Sequence, residues 1–396
     1  MNLRACNPIN LVYNCMIVLD VILVGFYPVV KNTVFESYLM YGLWITVFAT
    51  LFFCIVFDFK AGIKSGFGLY ASIVALLLFK ILFTEKLSSD VVIAALNFFV
   101  MFFPFYYTQH MEMSRKQINY IEYLTIAKAL IFIIYSFTSY AYSGFYVDGK
   151  YINNGQLTLG YSNPNTTAIY LFCTFSILLC LIEVKKDDSK IKKMGLAVIL
   201  LMLAYLIVCT GSRLETGCMI VVVLLRFLGK TNLMKKVLTS RFSVIFIVVL
   251  PIIFLGSYFG VYHIIPNGYT IMGRGLFARI TIYQKALADF QRHLLFGNMN
   301  EWLFTNSHNG ILTIAINIGV VGLLLYLLFI LRNMFRYADY IKNNKASNII
   351  PYFMVVAFFI QACAEASSLT GGVSFMSSVA VATYLCEVNQ DKTRES

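Results

Sequence analysis

The stretch "SHNGILTIAINIGVVGLLLYLLFI", residues 307–330, decides the class of fold. It opens with polar side chains, and from Gly310 to Leu331 it contains no charge. At a helical rise of about 1.5 Å per residue, such a run crosses a bilayer core of roughly 30 Å. The run therefore predicts a transmembrane helix. Membrane insertion does not require His308 at its mouth, so that residue needs a separate explanation.

The composition of the whole chain favours the same class. Of 396 residues, 59% are hydrophobic and 13% are charged, with a mean hydropathy of +0.76. Soluble proteins carry about 25% charged residues. The apolar runs are too long, and alternate too weakly, for a transmembrane β-barrel. We therefore predict an all-α polytopic membrane protein.

Apolar runs predict about twelve transmembrane helices in one integral membrane domain, residues 1–396. The first run is interpreted as a retained helix, because no cleavage site for a signal peptide follows it. The spans are 9–29, 35–57, 67–83, 90–107, 118–140, 166–184, 194–210, 214–229, 242–260, 309–331, 349–366 and 371–387. Two polar segments between them stand out as long loops, 143–165 and 261–308.

The distribution of Lys and Arg predicts the orientation of these spans. With the N-terminus placed inside, 21 of the 31 basic residues fall in inner segments and 8 in outer segments. Basic residues concentrate in cytoplasmic loops. We therefore expect a multi-pass membrane protein with both termini cytoplasmic and both long loops outside. This bias explains most of the +12 net charge without a nucleic-acid partner.

The longer outer loop contains its own helical pattern, "FARITIYQKALADFQRHLLFG", residues 277–297. Its apolar side chains recur at helical spacing, and its charged side chains mostly avoid that stripe. The apolar positions are Ile280, Tyr283, Leu287, Phe290 and Leu294. We predict an amphipathic helix that lies over the outer face and ends near Gly297.

His308 has two interpretations. It is predicted in the first turn of the tenth span, with Asn306 or Ser307 as the N-cap. The positive end of the helix dipole disfavours an imidazolium there, and a neutral imidazole is what a general base requires. The alternative is structural, with His308 capping the helix or bonding a loop carbonyl.

Several outer arginines could bind an anion near this helix end. Arg213, Arg274 and Arg279 offer forked donors that match phosphate oxygens. Arg213 could instead lie at the membrane surface, paired with Glu215 or with lipid headgroups. Outer carboxylates are sparse and no metal site is predicted. A reaction here needs a donor that arrives already activated in the membrane, and a lipid-linked diphosphate fits.

Four segments carry a family resemblance. "SHNGILTIAINIGVVGLL" (307–324) resembles the H-N-x-x-L…G-x-x-G-L-L pattern of the O-antigen ligase and polymerase superfamily (WaaL and Wzy). Three further segments resemble that family's other motifs, in the family's order. They are "GYSNPNTTAIYL" (160–171), "TGSRLETG" (210–217) and "ARITIYQKALADFQRHLLFGNM" (278–299). Tyr283 stands where the family often has Trp, and "HLLFGNM" lacks the usual proline and second glycine.

The resemblance implies a GT-C-like glycosyltransferase that is inverting and needs neither metal nor cofactor. The resemblance favours a polymerase of undecaprenyl-diphosphate-linked repeat units, building O-antigen or capsular polysaccharide on the outer face of the bacterial inner (plasma) membrane. His308 would be the catalytic base. The residues expected to hold the diphosphate are Arg213, Arg279 and Arg274, with Asn309, Asn163, Asn165 and Tyr283 in support. The implied partners are a lipid-linked glycan donor, a lipid-linked acceptor, membrane lipid and a chain-length regulator protein.

Two other functions stay open at this point. An O-antigen ligase would differ in its acceptor, the lipid A core. A lipid-linked-sugar flippase, or another secondary transporter, belongs to a different class. Asp20 and Lys128 are predicted within the membrane, where charges usually serve a function. Transporters often contain corresponding broken helices in two halves, and the sequence does not indicate them.

Overall fold

The computed structural model describes most of the chain. The described residues are 8–31, 33–61, 67–83, 115–138, 141–147, 150–161, 163–184, 189–229, 231–265, 270–271, 274–275, 277, 279–298, 307–343, 350–365, 381–383 and 385. The predicted span 90–107 lies outside these residues, and so does most of 371–387. Parts of the predicted loop 261–308, including 299–306, also lie outside them.

Helices dominate the described residues, and each predicted span within them is mainly helical, with the first span divided between two helices. The helices are α1 (Pro8–Gly25), α2 (Tyr27–Val30), α3 (Val34–Ala61), α4 (Phe67–Leu82), α5 (Arg115–Ser136), α6 (Pro164–Val184), α7 (Lys190–Cys209), α8 (Arg213–Leu228), α9 (Asn232–Leu238), α10 (Arg241–Ile264), α11 (Ile280–Arg292), α12 (Gly310–Lys342) and α13 (Ile350–Ala362). By length and composition, five of them could cross a membrane: α5, α6, α7, α10 and α12.

The two long loops contain strands that the sequence analysis did not predict. β1 (Tyr142–Val147) pairs antiparallel with β2 (Lys150–Leu157). In the second loop, β3 (Thr270–Ile271) pairs antiparallel with β4 (Arg274–Gly275). Pairing within each hairpin satisfies backbone donors and acceptors locally. The fold is therefore helical in its apolar segments, with short hairpins added between them.

The helices divide into buried and surface-facing members. On α6 most side chains with a described environment are buried, and on α13 nearly all are. By contrast, α7 and α10 expose apolar side chains, including Leu201 and Tyr205 on α7 and Ile252 and Ile253 on α10. A soluble protein rarely exposes such extended apolar surfaces. The exposed faces suit contact with lipid, and this supports a membrane-embedded protein.

A buried ion pair joins the first and fifth helices. Lys128 Nζ on α5 donates to Asp20 Oδ2 on α1 at 2.9 Å, and both side chains are buried. A lone charge in this position would be strongly unfavourable, but the pair compensates both. The two residues singled out in the sequence therefore contact each other and fasten α1 to α5.

The tenth predicted span is interrupted, which corrects the expectation of a continuous helix. Gly319 breaks α12 with φ 65° and ψ −170°, a conformation open essentially to glycine alone. The segment that follows α11 fills the interruption. Val320 N donates to Leu294 O at 2.8 Å, and Val321 N donates to Leu295 O at 3.1 Å. The close neighbour of Gly319 is this backbone segment.

Two further donors bond backbone carbonyl groups just before the interruption. Asn298 N donates to Ile316 O at 3.3 Å, and the buried Lys80 Nζ on α4 donates to Asn317 O. Gly297, at φ 74°, lets the chain approach α12 closely. Backbone groups inside a membrane need protein partners because lipid offers none. The segment 294–298, just after α11, is therefore tied to α12 around Gly319.

The predicted orientation can be tested by cysteine labelling. We expect Lys285→Cys, on the exposed face of α11, to react with a membrane-impermeant maleimide in intact cells. Lys190→Cys, at the exposed start of α7, should react only after permeabilisation. The unmodified chain, in which Cys15 is exposed, measures the background. Labelling of the α11 position only after permeabilisation would reverse the topology.

Candidate functional site

Asn309, not Asn306 or Ser307, is the N-cap of α12, which corrects the predicted start of this helix. Its Oδ1 accepts from Leu312 N at 3.0 Å. Its Nδ2 donates to Pro251 O at 3.0 Å and to Cys363 O at 3.2 Å. One buried amide thus joins α10, α12 and the end of α13. This explains Asn309 as architecture, and it places His308 just before the helix rather than in its first turn.

The backbone of His308 adopts an uncommon conformation. Its φ is 50°, in the left-handed region that non-glycine residues seldom occupy. The flanking residues Ser307 and Asn309 are fully buried. Ser307 Oγ donates to Asn309 O at 2.9 Å and lies 2.6 Å from Thr313 Oγ1. This turn holds His308 in a conformation that costs roughly 1–2 kcal/mol.

Glu365, which the sequence analysis missed, lies at the centre of the cluster. Its Oε2 lies 3.5 Å from His308 Nδ1. Its Oε1 lies 3.3 Å from Arg279 Nη2 and 3.5 Å from Asn165 Nδ2. The Glu365 side chain is 7% exposed, whereas that of His308 is 23% exposed. The carboxylate is therefore inside, and the imidazole lies between it and the surface.

Arg279 binds this same segment through two of its nitrogens. Besides the contact with Glu365, its Nη1 donates to Ala364 O. Arg279 occupies the N-cap position of α11, and its side chain is 31% exposed. Its guanidinium fork is therefore partly occupied within the protein, while part of it faces the surface. The predicted amphipathic helix is present, but Leu294 lies beyond its end and is exposed.

Tyr283 contacts the turn that contains His308. Its hydroxyl donates to His308 O at 3.4 Å. The ring packs edge-on against Tyr258, with centroids 5.1 Å apart, and Leu312 and Ile316 lie in the same small core. Burial raises the pKa of Tyr283 to about 12, with the neighbouring Arg279 acting in the opposite direction. The phenol therefore remains a hydrogen-bond donor at neutral pH.

Asn163 and Asn165 belong to the turn that starts α6. Asn163 Oδ1 accepts from Asn165 N at 2.9 Å, an arrangement typical of asparagine in turns. This directs the Asn165 side chain towards Glu365. Asn165 thus contacts the cluster directly, and Asn163 acts on it through the turn.

Of the remaining arginines, Arg213 is exposed at the first residue of α8. The residue that points inward from this turn is Glu215, which is fully buried. It accepts from Ser212 Oγ and, at 3.1 Å, from Gln361 Nε2. Gln361 O in turn accepts from Glu365 N at 2.9 Å. The turn that carries Arg213 is thus linked to the Glu365 segment. For Arg274, the structure describes only the backbone, in β4.

The cluster combines residues from four separate parts of the chain. They are the turn before α6, the start of α11, the turn before α12 and the segment after α13. A carboxylate, an imidazole and a guanidinium meet there, the set that orients a proton acceptor beside an anion-binding group. Within the described ranges, no three His, Cys, Asp or Glu side chains are grouped as metal ligands.

Fold and site define this protein as a helical membrane protein with a polar, partly exposed cluster at one end of its bundle. Comparisons with family models, with curated proteins and with solved structures find no match to the chain. The resemblance to the O-antigen ligase and polymerase superfamily therefore stands on the four sequence motifs. Each of those motifs contributes at least one residue to this cluster or to the contacts beside it.

Proposed function

We propose that this protein is a glycosyltransferase that polymerises undecaprenyl-diphosphate-linked oligosaccharide units on the outer face of the bacterial inner membrane. The observation that carries the proposal is the placement of His308. Its imidazole is partly exposed and faces Glu365 on one side. Arg279 contacts the other oxygen of the same carboxylate. This arrangement suits a base that acts next to a phosphate-containing leaving group.

The proposed reaction needs one proton acceptor and one anion site. His308 takes the proton from an acceptor sugar hydroxyl as that oxygen attacks the anomeric carbon of the donor. The bond from that carbon to the diphosphate breaks, and undecaprenyl diphosphate leaves with the electron pair. Direct attack inverts the anomeric centre. Arg279 and Arg213 would stabilise the charge that develops on the leaving group.

The strained turn supports a role for His308 beyond architecture. At φ 50° a glycine or asparagine would be less strained, and a residue with only a structural role would not need an imidazole. Strained backbone is often retained at functional positions. Because Asn309 is the N-cap of α12, His308 is not needed to cap that helix.

A reconstituted assay tests the proposed function. Purified protein in liposomes would receive an undecaprenyl-diphosphate-linked repeat unit, and products would be separated by length. We expect a ladder of longer lipid-linked glycans. A single product appearing only when lipid A core is supplied would indicate a ligase. Movement of the unit across the bilayer without any new glycosidic bond would overturn the proposal.

That last outcome would favour the transporter alternative, which two observations support. The interruption of α12 at Gly319 resembles the broken helices of transporters, and the Asp20–Lys128 pair is a buried charge pair. Within the described helices, however, the interruption is filled by backbone from 294–298 and by Lys80. That packing leaves the polymerase proposal better supported.

The arginines give a prediction within the same assay. We expect Arg279→Lys to lower kcat/KM about 10- to 100-fold, because lysine keeps the charge but loses the fork that bonds Ala364 and Glu365. Arg213→Lys should also impair elongation. Arg292→Ala, at the exposed end of α11, is the control and should change kcat/KM by less than about twofold. Full activity in both Arg213→Ala and Arg279→Ala would remove the diphosphate role.

A further inference from the structure

Glu365 lies next to both groups that the proposed reaction uses, the base His308 and the anion-binding Arg279. One oxygen faces His308 Nδ1 at 3.5 Å, and the other faces Arg279 Nη2 at 3.3 Å. The carboxylate is nearly buried, and Asn165 Nδ2, at 3.5 Å, is placed on the arginine side. The base and the anion-binding group therefore share a single negative charge.

We propose that Glu365 couples donor binding to activation of the base. The inference rests on the proposed function and adds a positioning and regulatory role for a residue outside the four motifs. Before donor binds, Glu365 holds Arg279 and occupies part of its fork. When a lipid diphosphate binds Arg279, it displaces that contact, because two anions compete for one guanidinium. Glu365 is then left to interact with His308.

The chemistry of the pair explains why this exchange would matter. A carboxylate facing Nδ1 favours the tautomer with the proton on Nδ1, which leaves Nε2 as the proton acceptor. It also stabilises the imidazolium that forms when the acceptor hydroxyl loses its proton. Glu365 stabilises the imidazolium less strongly while it is also bound to Arg279 than after Arg279 has released it. The base would thus become fully effective only after the donor is bound.

The backbone of Glu365 is held by a contact that its side chain does not share. Its backbone N donates to Gln361 O at 2.9 Å, and Gln361 is held by the buried Glu215. The segment is anchored, so the side chain can change partner without the backbone having to move. Among the described residues, the charged and titratable groups that contact His308 or Glu365 include Arg279 and Tyr283.

The test compares Glu365→Gln with the wild-type protein in two measurements. The first is elongation, and the second is the Kd for undecaprenyl diphosphate itself. Glutamine removes the competing charge, so we expect the Kd to fall about threefold or more. It also removes the anionic partner of His308, so kcat should fall about 10- to 100-fold. Tighter binding together with slower turnover is a result that a merely structural role would not produce.

Matched variants separate the possible outcomes. Asp289→Asn removes a carboxylate from α11 that the cluster does not include, and both constants should stay near wild type. Glu365→Asp keeps the charge with a shorter reach, so Kd should stay near wild type while kcat falls; it also serves if the glutamine variant does not fold. Weaker diphosphate binding in Glu365→Gln, or an unchanged kcat, would overturn the coupling. A wild-type protein that fails to elongate would instead overturn the proposed function.

Discussion

Replacing His308 with glutamine is expected to abolish glycan elongation while leaving the protein folded. Loss of a general base alone slows a reaction by about 10²- to 10⁴-fold. Glutamine can hydrogen-bond to Glu365 but cannot accept a proton near neutral pH. The measurement is the rate of product-ladder formation by purified protein in liposomes. Normal elongation by a well-folded His308→Gln protein would refute the catalytic role and favour the structural interpretation.

His308→Gly provides a control that only this structure suggests. The residue has φ 50°, so glycine should relieve roughly 1–2 kcal/mol of backbone strain. The glycine variant should therefore be inactive, yet its thermal midpoint should be equal to that of the wild type or higher. If His308 served only to stabilise the turn, activity and thermal midpoint would fall together. The two roles thus predict opposite changes in stability.

Gly319→Ala should strongly destabilise the fold. A Cβ at this position would overlap the carbonyl group of Leu295 and the backbone nitrogen of Gly297. The φ of 65° adds a further penalty, and we expect a total loss of about 3 kcal/mol or more. The buried cysteines, including Cys173 and Cys218, allow a direct measurement with a thiol-reactive fluorophore during heating.

Gly256→Ala is the matched control for this experiment. Gly256 lies in α10, and a Cβ there would meet nothing within 4 Å beyond the nearby backbone of its own helix. Alanine in an exposed helical position is neutral or stabilising by up to about 1 kcal/mol. A Gly319→Ala protein that unfolds at the temperature of Gly256→Ala would show that 294–298 does not dock into α12 as described. Gly319→Ala should also impair elongation, because displacing 294–298 would shift α11, which contains Tyr283 and has Arg279 at its N-cap.

The elements that the sequence predicted best are those controlled by local pattern. Long apolar runs predict helices because a chain in lipid must satisfy its backbone hydrogen bonds within the segment. The amphipathic stripe of 277–297 predicts α11 for a related reason, since its apolar face needs cover. The predicted site residues Arg279, Tyr283, Asn165 and Asn309 all contact the segment that surrounds His308 or Glu365. Local motifs thus indicated most of the cluster.

The hairpins β1–β2 and β3–β4 were not predicted, because strands of this length in a loop leave little trace in a sequence dominated by helices. The N-cap was also predicted wrongly. Any of three neighbouring polar residues could cap α12, and the choice depends on Asn309 reaching Pro251 and Cys363. Those partners lie more than fifty residues away in either direction. Sequence-local rules have no access to such distant contacts.

What the sequence determined by itself is the class of protein, the position of most helices and the identity of His308 as the residue to explain. Those features follow from hydropathy, charge and short motifs, which act along the chain. What only the tertiary structure decided is the role open to Glu365 and the interruption at Gly319. Glu365 is a lone carboxylate at the end of an apolar run, and its partner Arg279 is 86 residues away. Gly319 is read as a break only once 294–298 is seen to supply its missing partners. Both depend on contacts between segments, because a charge or a backbone group in an apolar interior is stable only where a distant part of the chain compensates it.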